Sequence, residues 1–244
     1  MRAIHWVVGA SAVIFLCTAA QADIIFADFN VNEGIFQYAP NFSGTSNVLA
    51  TSTADRTTAA GEVLEGAGAE KLVLNSGTAN PTRCRFLAGV TTAGSPAGQQ
   101  SFTPTSGGED GYIGFWYKIA GGTATGMKLG INLDSPANTG ATMVGGVLKD
   151  VIADGQWHAM EWNLDNLSEW GAVTAIGGSS ANLEGSAKTI DSIYFYFIPQ
   201  PNLSVTVLID YVVKTDSGHI PIPEPASIGL LLAGIPLVAS RRRK

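Results

Sequence analysis

The sequence predicts an all-β chain: an antiparallel β-sandwich of jelly-roll type, flanked by an N-terminal signal peptide and a C-terminal hydrophobic helix. Three observations carry this. Short runs alternate apolar and polar residues with a period of two, as strands with one solvated face do. Glycine is abundant, at 29 of 244 residues, and charged residues make up only 14%, while Ser, Thr and Asn recur every few positions. That texture belongs to strands joined by turns. The sequence also lacks heptads, a long amphipathic helix and any internal repeat of about 20–50 residues.

Residues 1–22 read as a Sec-type signal peptide. Arg2 supplies the positive charge, residues 7–17 are almost wholly apolar, and Ala20-Gln21-Ala22 presents small residues before Asp23. The run is too short to cross about 30 Å of hydrocarbon. Leu16 precedes Cys17 where lipidation requires a small residue, so cleavage discards Cys17 and leaves Cys84 with no partner for an internal disulfide.

Residues 23–218 form the sandwich domain, long enough for one sizeable core. Its first strand candidate is "IIFADF" (24–29), followed by "KLVLN" (71–75); both alternate weakly. The clear alternations are "GYIGFWYKI" (111–119), "GMKLGINLD" (126–134), "QWHAMEWNL" (156–164), "TIDSIYFYFI" (189–198) and "SVTVLIDYVV" (204–213). Phase divides the third of these. His158, Met160, Trp162 and Leu164 share the core face, while Trp157, Ala159, Glu161 and Asn163 face outward. His158 is then a satisfied core-side histidine rather than a catalytic one.

Acids outnumber bases 20 to 14, a net charge of −6, and Arg2, Arg241, Arg242, Arg243 and Lys244 all lie in the terminal segments. Such a surface does not suit nucleic acid, whose phosphates require basic partners. Signatures of a nucleophile elbow, a phosphate loop, a zinc helix or a redox Cys pair are missing, and the sequence is read as non-enzymatic. Glu109, Asp110, Glu161 and Glu169 are conceivable acids for glycoside hydrolysis, and nothing singles out a pair. The tryptophans point elsewhere. A flat indole stacks on the C–H face of a pyranose, and Trp157, out of phase with the core, and Trp170, after the polar "DNLSE", are the expected surface platforms.

Residues 111–213, with "DGQWHAMEWNLDNLSEW", "TIDSIYFYF" and "VTVLIDYVV", resemble two groups of extracellular jelly rolls, the galactose-binding-like carbohydrate-binding modules and the laminin-G-like sandwiches. The first resemblance implies a structural calcium ion tying the first strand to the last. Asp28, in Asp28-Phe29-Asn30, and Asp210 occupy the matching positions, although Asn30 stands where a glutamate is usual.

The C-terminus, "PIPEPASIGLLLAGIPLVASRRRK", resembles the PEP-CTERM sorting signal of Gram-negative exopolysaccharide producers. Its parts are Pro223-Glu224-Pro225, an apolar segment over 228–239, and the basic tail of Arg241, Arg242, Arg243 and Lys244. Basic residues stay on the cytoplasmic side while the prolines keep the motif extended. The apolar segment is shorter than the about 20 residues of a usual span, and Pro236 interrupts it. The resemblance implies an exosortase partner and a membrane-held precursor in residues 219–244. Processing then leads to the cell envelope surface or the extracellular matrix. The expected function is association with exopolysaccharide. A structural matrix protein without a specific ligand and a secreted polysaccharide-active enzyme are the alternatives.

Overall fold

The computed structural model describes residues 23–77, 80–90, 98–136, 143–171, 182–216 and 218–222. The segments expected to be a signal peptide (residues 1–22) and a sorting signal, with Pro223, Glu224 and Pro225, the apolar run and the basic tail, lie outside the described residues. None of the described helices is long and apolar enough to cross a membrane.

Twelve strands are described. They are β1 (Ile24–Ala27), β2 (Thr53–Thr57), β3 (Ala69–Asn75), β4 (Thr82–Leu87), β5 (Tyr112–Gly122), β6 (Lys128–Asp134), β7 (Val144–Gly146), β8 (Lys149–Asp150), β9 (His158–Asn163), β10 (Trp170–Gly171), β11 (Thr189–Phe197) and β12 (Ser204–Thr215). They form two antiparallel sheets, confirming the sandwich. One runs β2-β3-β12-β5-β9 with β1 beside β12, and the other runs β10-β7-β6-β11-β4 with β8 beside β6. The twelve-residue β12 is the spine of the first sheet. It pairs with β5 along one edge, and along the other with β3 over residues 204–209 and then β1 over 212–214.

Alternation decides what faces inward. Ile113, Phe115, Tyr117 and Ile119 of β5, Met160 and Trp162 of β9, and Val205, Val207 and Ile209 of β12 meet Cys84 and Phe86 of β4, Leu129, Ile131 and Leu133 of β6, and Ile193, Phe195 and Phe197 of β11. Burying apolar side chains of this size contributes about 1.5–3 kcal/mol each, which supplies the stability that a disulfide would otherwise add. Cys84, the free cysteine among the described residues, is fully buried, and burial pushes its ionisation well above the ordinary thiol value.

All seven predicted runs became strands. β2 (TADRT) and β4 (TRCRFL) were not foreseen: β2 has Ala54 as its single apolar residue, with Arg56 on the same side, and in β4 Arg83 and Arg85 at the outward positions mask the alternation. The sandwich also extends past residue 218. His219, Ile220 and Pro221 lie against its first sheet, with Ile220 buried.

Candidate functional site

The candidate site is the outward face of the β5–β9 pair. In β9 the structure keeps the phase read from the sequence: Met160 and Trp162 are buried and Ala159 is exposed. Trp162 is fixed by a hydrogen bond from its Nε1 to Val147 O at 2.8 Å and by Lys149 Nζ at 5.4 Å from its ring centre. Gly146 permits this placement, because a Cβ there would stand 2.7 Å from the indole nitrogen.

Trp157 immediately precedes β9, in step with the outward Ala159 and Glu161, and is half-buried. Trp116, also half-buried, sits directly opposite Ala159 across the β5–β9 ladder, and Trp157 lies diagonally from it. Diagonal neighbours on one face are within reach of aromatic side chains. Tyr112, Lys118 and Glu161 extend the same face. Lys118 Nζ donates to Gly61 O at 2.9 Å. At the other end the chain's own segment 219–221 closes the strip. Trp116 Nε1 donates to Pro221 O at 3.0 Å, Glu161 Oε2 accepts from Ile220 N at 2.8 Å, Glu161 also pairs with His219 Nδ1, and the His219 ring lies 5.0 Å from that of Tyr112. Trp116 was not among the expected site residues, although its phase in "YIGFWYKI" marks it as outward.

Trp170 does not belong to this surface. It is only 8% exposed, begins β10, and donates from Nε1 to Asn163 O at 2.9 Å. The polar "DNLSE" reads as an exposed loop. However, Asn166 caps a short 3-10 turn, Leu167–Glu169, that brings the chain straight back to pair with β7 and turns Trp170 into the core.

His158 is satisfied structurally, as expected. Its Nε2 meets Asp154 Oδ1 at 2.8 Å and its ring lies 5.8 Å from that of Tyr117. The histidine also holds the Asp154 carboxyl below its ordinary range. Of the conceivable acids, Asp110 accepts from Thr105 N at 2.7 Å and Glu169 pairs with Lys149 at 2.7 Å. Glu161 holds the 219–220 segment, and Glu109 is exposed. Among the described residues, no group of three or more His, Cys, Asp or Glu gathers as a metal site.

Asp28 and Asp210 also have protein partners. Asp28 Oδ1 accepts from Asn30 N at 3.1 Å. Asp210 is fully buried and accepts from Leu64 N and Glu65 N on Oδ2 and from Tyr211 N on Oδ1. Burial raises its ionisation to about 7 against the opposing pull of those amides.

The outer face of the second sheet holds a polar chain that the sequence did not reveal. Arg85 grips Asp191 with both Nε (3.0 Å) and Nη2 (2.5 Å), Ser192 Oγ donates to Asp191 Oδ2 at 2.7 Å, and Asn132 Nδ2 donates to Ser192 Oγ at 2.9 Å. Asp191 is raised by burial and drawn back down by Arg85. Beside it, Tyr194 is buried with its hydroxyl unpartnered, and burial raises that phenol too.

No protein-family model and no curated protein matches the sequence. Among solved structures, the chain is similar to a carbohydrate-binding module of the β-sandwich superfamily, at 12% identity and a TM-score of 0.44, over 74% of this chain and 59% of that one. It is also similar to the glycoside hydrolase domain of Endo-D from Streptococcus pneumoniae R6, at 11% identity and a TM-score of 0.33, over 70% of this chain and 20% of that one. These are distant likenesses of architecture, and the chain spans less than two thirds of either structure.

Proposed function

We propose that this is an exported protein of the cell surface or matrix whose sandwich associates with polysaccharide through the outward strip of β5 and β9. The observation that carries the proposal is the pair Trp116 and Trp157, half-buried on a solvent face while the core takes Trp162 and Trp170. Two neighbouring indoles, flanked by Lys118, Glu161 and Tyr112, offer stacking faces with polar groups at their edges for sugar hydroxyls.

The test is affinity electrophoresis through gels containing the exopolysaccharide of the producing organism. Retardation of the protein should weaken about fivefold or more for Trp116→Ala/Trp157→Ala, from about 0.5–1.5 kcal/mol per stacked ring. The melting temperature should change little. Retention equal to wild type would place binding elsewhere.

Export and sorting rest on the two terminal segments. Residues 219–221 are held against the sandwich and Ile222, the last described residue, is 74% exposed. Glu224→Ala should leave an uncleaved, membrane-held precursor on immunoblots of fractionated cells. Release of this variant at the normal size would rule out the sorting reading.

A further inference from the structure

The resemblance to galactose-binding-like modules implies a calcium ion between the first strand and the last, and the residues present do not suit one. Calcium takes six to eight oxygen ligands at about 2.3–2.6 Å. Both named carboxylates instead face backbone N–H donors, one on Asp28 and three on Asp210. The carbonyl oxygens that would complete a shell are engaged as well. Phe29 O accepts from Arg56 Nε, and Asn30 O and Ala67 O accept from Arg56 Nη2 at 2.7 and 2.8 Å.

We infer that the Arg56 guanidinium is the resident cation of this knot, joining the stretch after β1 to the 62–68 loop through three backbone carbonyls, the task a divalent metal would otherwise perform. A hard cation and a guanidinium both collect oxygen atoms. The guanidinium does so with a planar fork of N–H donors and a charge that no chelator removes.

The surroundings are shaped for it. A Cβ at Gly68 would stand 2.5 Å from both Arg56 Nε and Phe29 O, so only glycine leaves the guanidinium room. A Cβ at Gly66 would stand 1.8 Å from Asn30 Oδ1, which accepts from Ala67 N. The neutral Asn30, where the resemblance expects a glutamate, therefore binds an amide of the loop. Arg56 bypasses its cross-strand neighbour Glu70, whose carboxylate oxygens have no hydrogen-bond partner. Three tethers then fasten the 62–68 loop: Arg56 holds its carbonyl end, Asn30 its Ala67 amide, and Asp210 its Leu64 and Glu65 amides.

Thermal unfolding of the full-length chain, in millimolar calcium chloride and in chelator, tests this. Wild type should melt at the same temperature in both. Arg56→Ala should melt about 5 °C or more lower in chelator, from lost charge-assisted hydrogen bonds, and calcium should restore most of the deficit by entering the vacated oxygen cage. Arg56→Lys, which keeps a cation, should fall between. A wild-type melting point that rises with calcium would return the site to a metal. An Arg56→Ala deficit that calcium leaves untouched would reduce Arg56 to an ordinary hydrogen-bond donor, and an unchanged melting point would remove it from the account. If Arg56→Ala does not fold in either buffer, Arg56→Lys decides: folding near wild type supports the cation, and failure to fold overturns it.

Discussion

Arg85→Leu should lose about 3–5 kcal/mol of unfolding free energy, because it strands the Asp191 carboxylate in a site from which water is excluded. The Asp191 side chain is 0% exposed, and Arg85 holds it at both oxygens. With the guanidinium gone, only Ser192 Oγ still donates from a side chain. The carboxyl must then stay buried and charged or take up a proton. Its pKa, already raised by burial, would rise further. A buried acid with a raised folded pKa favours folding below its unfolded pKa and loses that stability as pH climbs toward the folded value. The variant's deficit should therefore be larger at pH 8 than at pH 5. Replacing both partners, Arg85→Leu/Asp191→Leu, should recover most of the loss, since apolar residues of similar volume commonly replace a buried ion pair at little cost. Urea midpoints for Arg85→Leu, Asp191→Leu and the double variant measure this. A single-variant loss under about 1 kcal/mol would mean that the pair is solvated in solution.

Glu70→Gln should act in the opposite direction. Glu70 lies on β3 with 0% exposure and no partner for either carboxylate oxygen. Burial first, then the nearby charges of Glu33 and Asp55, raises it from 4.5 to about 9. The folded chain therefore keeps this carboxyl protonated at neutral pH while the unfolded chain ionises it. Wild-type stability from this group is fully present below pH 4.5 and falls through the window up to about 9. The slope is about 1.4 kcal/mol per pH unit, so at pH 7 the cost is on the order of 3 kcal/mol. Glutamine has the same shape and no proton to bind. It should be more stable than wild type by roughly that amount at pH 7, with a gap that narrows toward pH 5 and widens toward pH 9. A gap that is constant with pH would show that Glu70 does not titrate in this window.

How much of this was legible in the sequence follows from which residues share a strand's phase. β5, β9, β11 and β12 carry long alternations, and their inward residues, Phe115, Trp162, Phe195 and Val207 among them, are buried where the period puts them. Trp157 was legible for the same reason. Trp170 was not, because its environment is set by a three-residue turn and a two-residue strand, too short for any period to appear. β4 was hidden by Arg83 and Arg85, whose outward charges look like a loop until Asp191, more than a hundred residues away, is brought beside them. The partners of Asp210 were equally out of sight. An aspartate within a strand reads the same whether it faces a metal or three backbone amides, and only the path of the 62–68 loop separates the two. The contact of His219 and Ile220 with Glu161 lies beyond any local pattern for the same reason.

The central claim, that the outward strip of β5 and β9 is the polysaccharide surface, is tested most directly by following the indole N–H signals of the protein by NMR as exopolysaccharide is added. Trp162 and Trp170 are buried and donate to Val147 O and Asn163 O, so their signals should stay in place. The Trp116 and Trp157 signals should shift together and saturably. Saturable binding that leaves Trp116 and Trp157 unmoved, or no binding at all, would contradict the account.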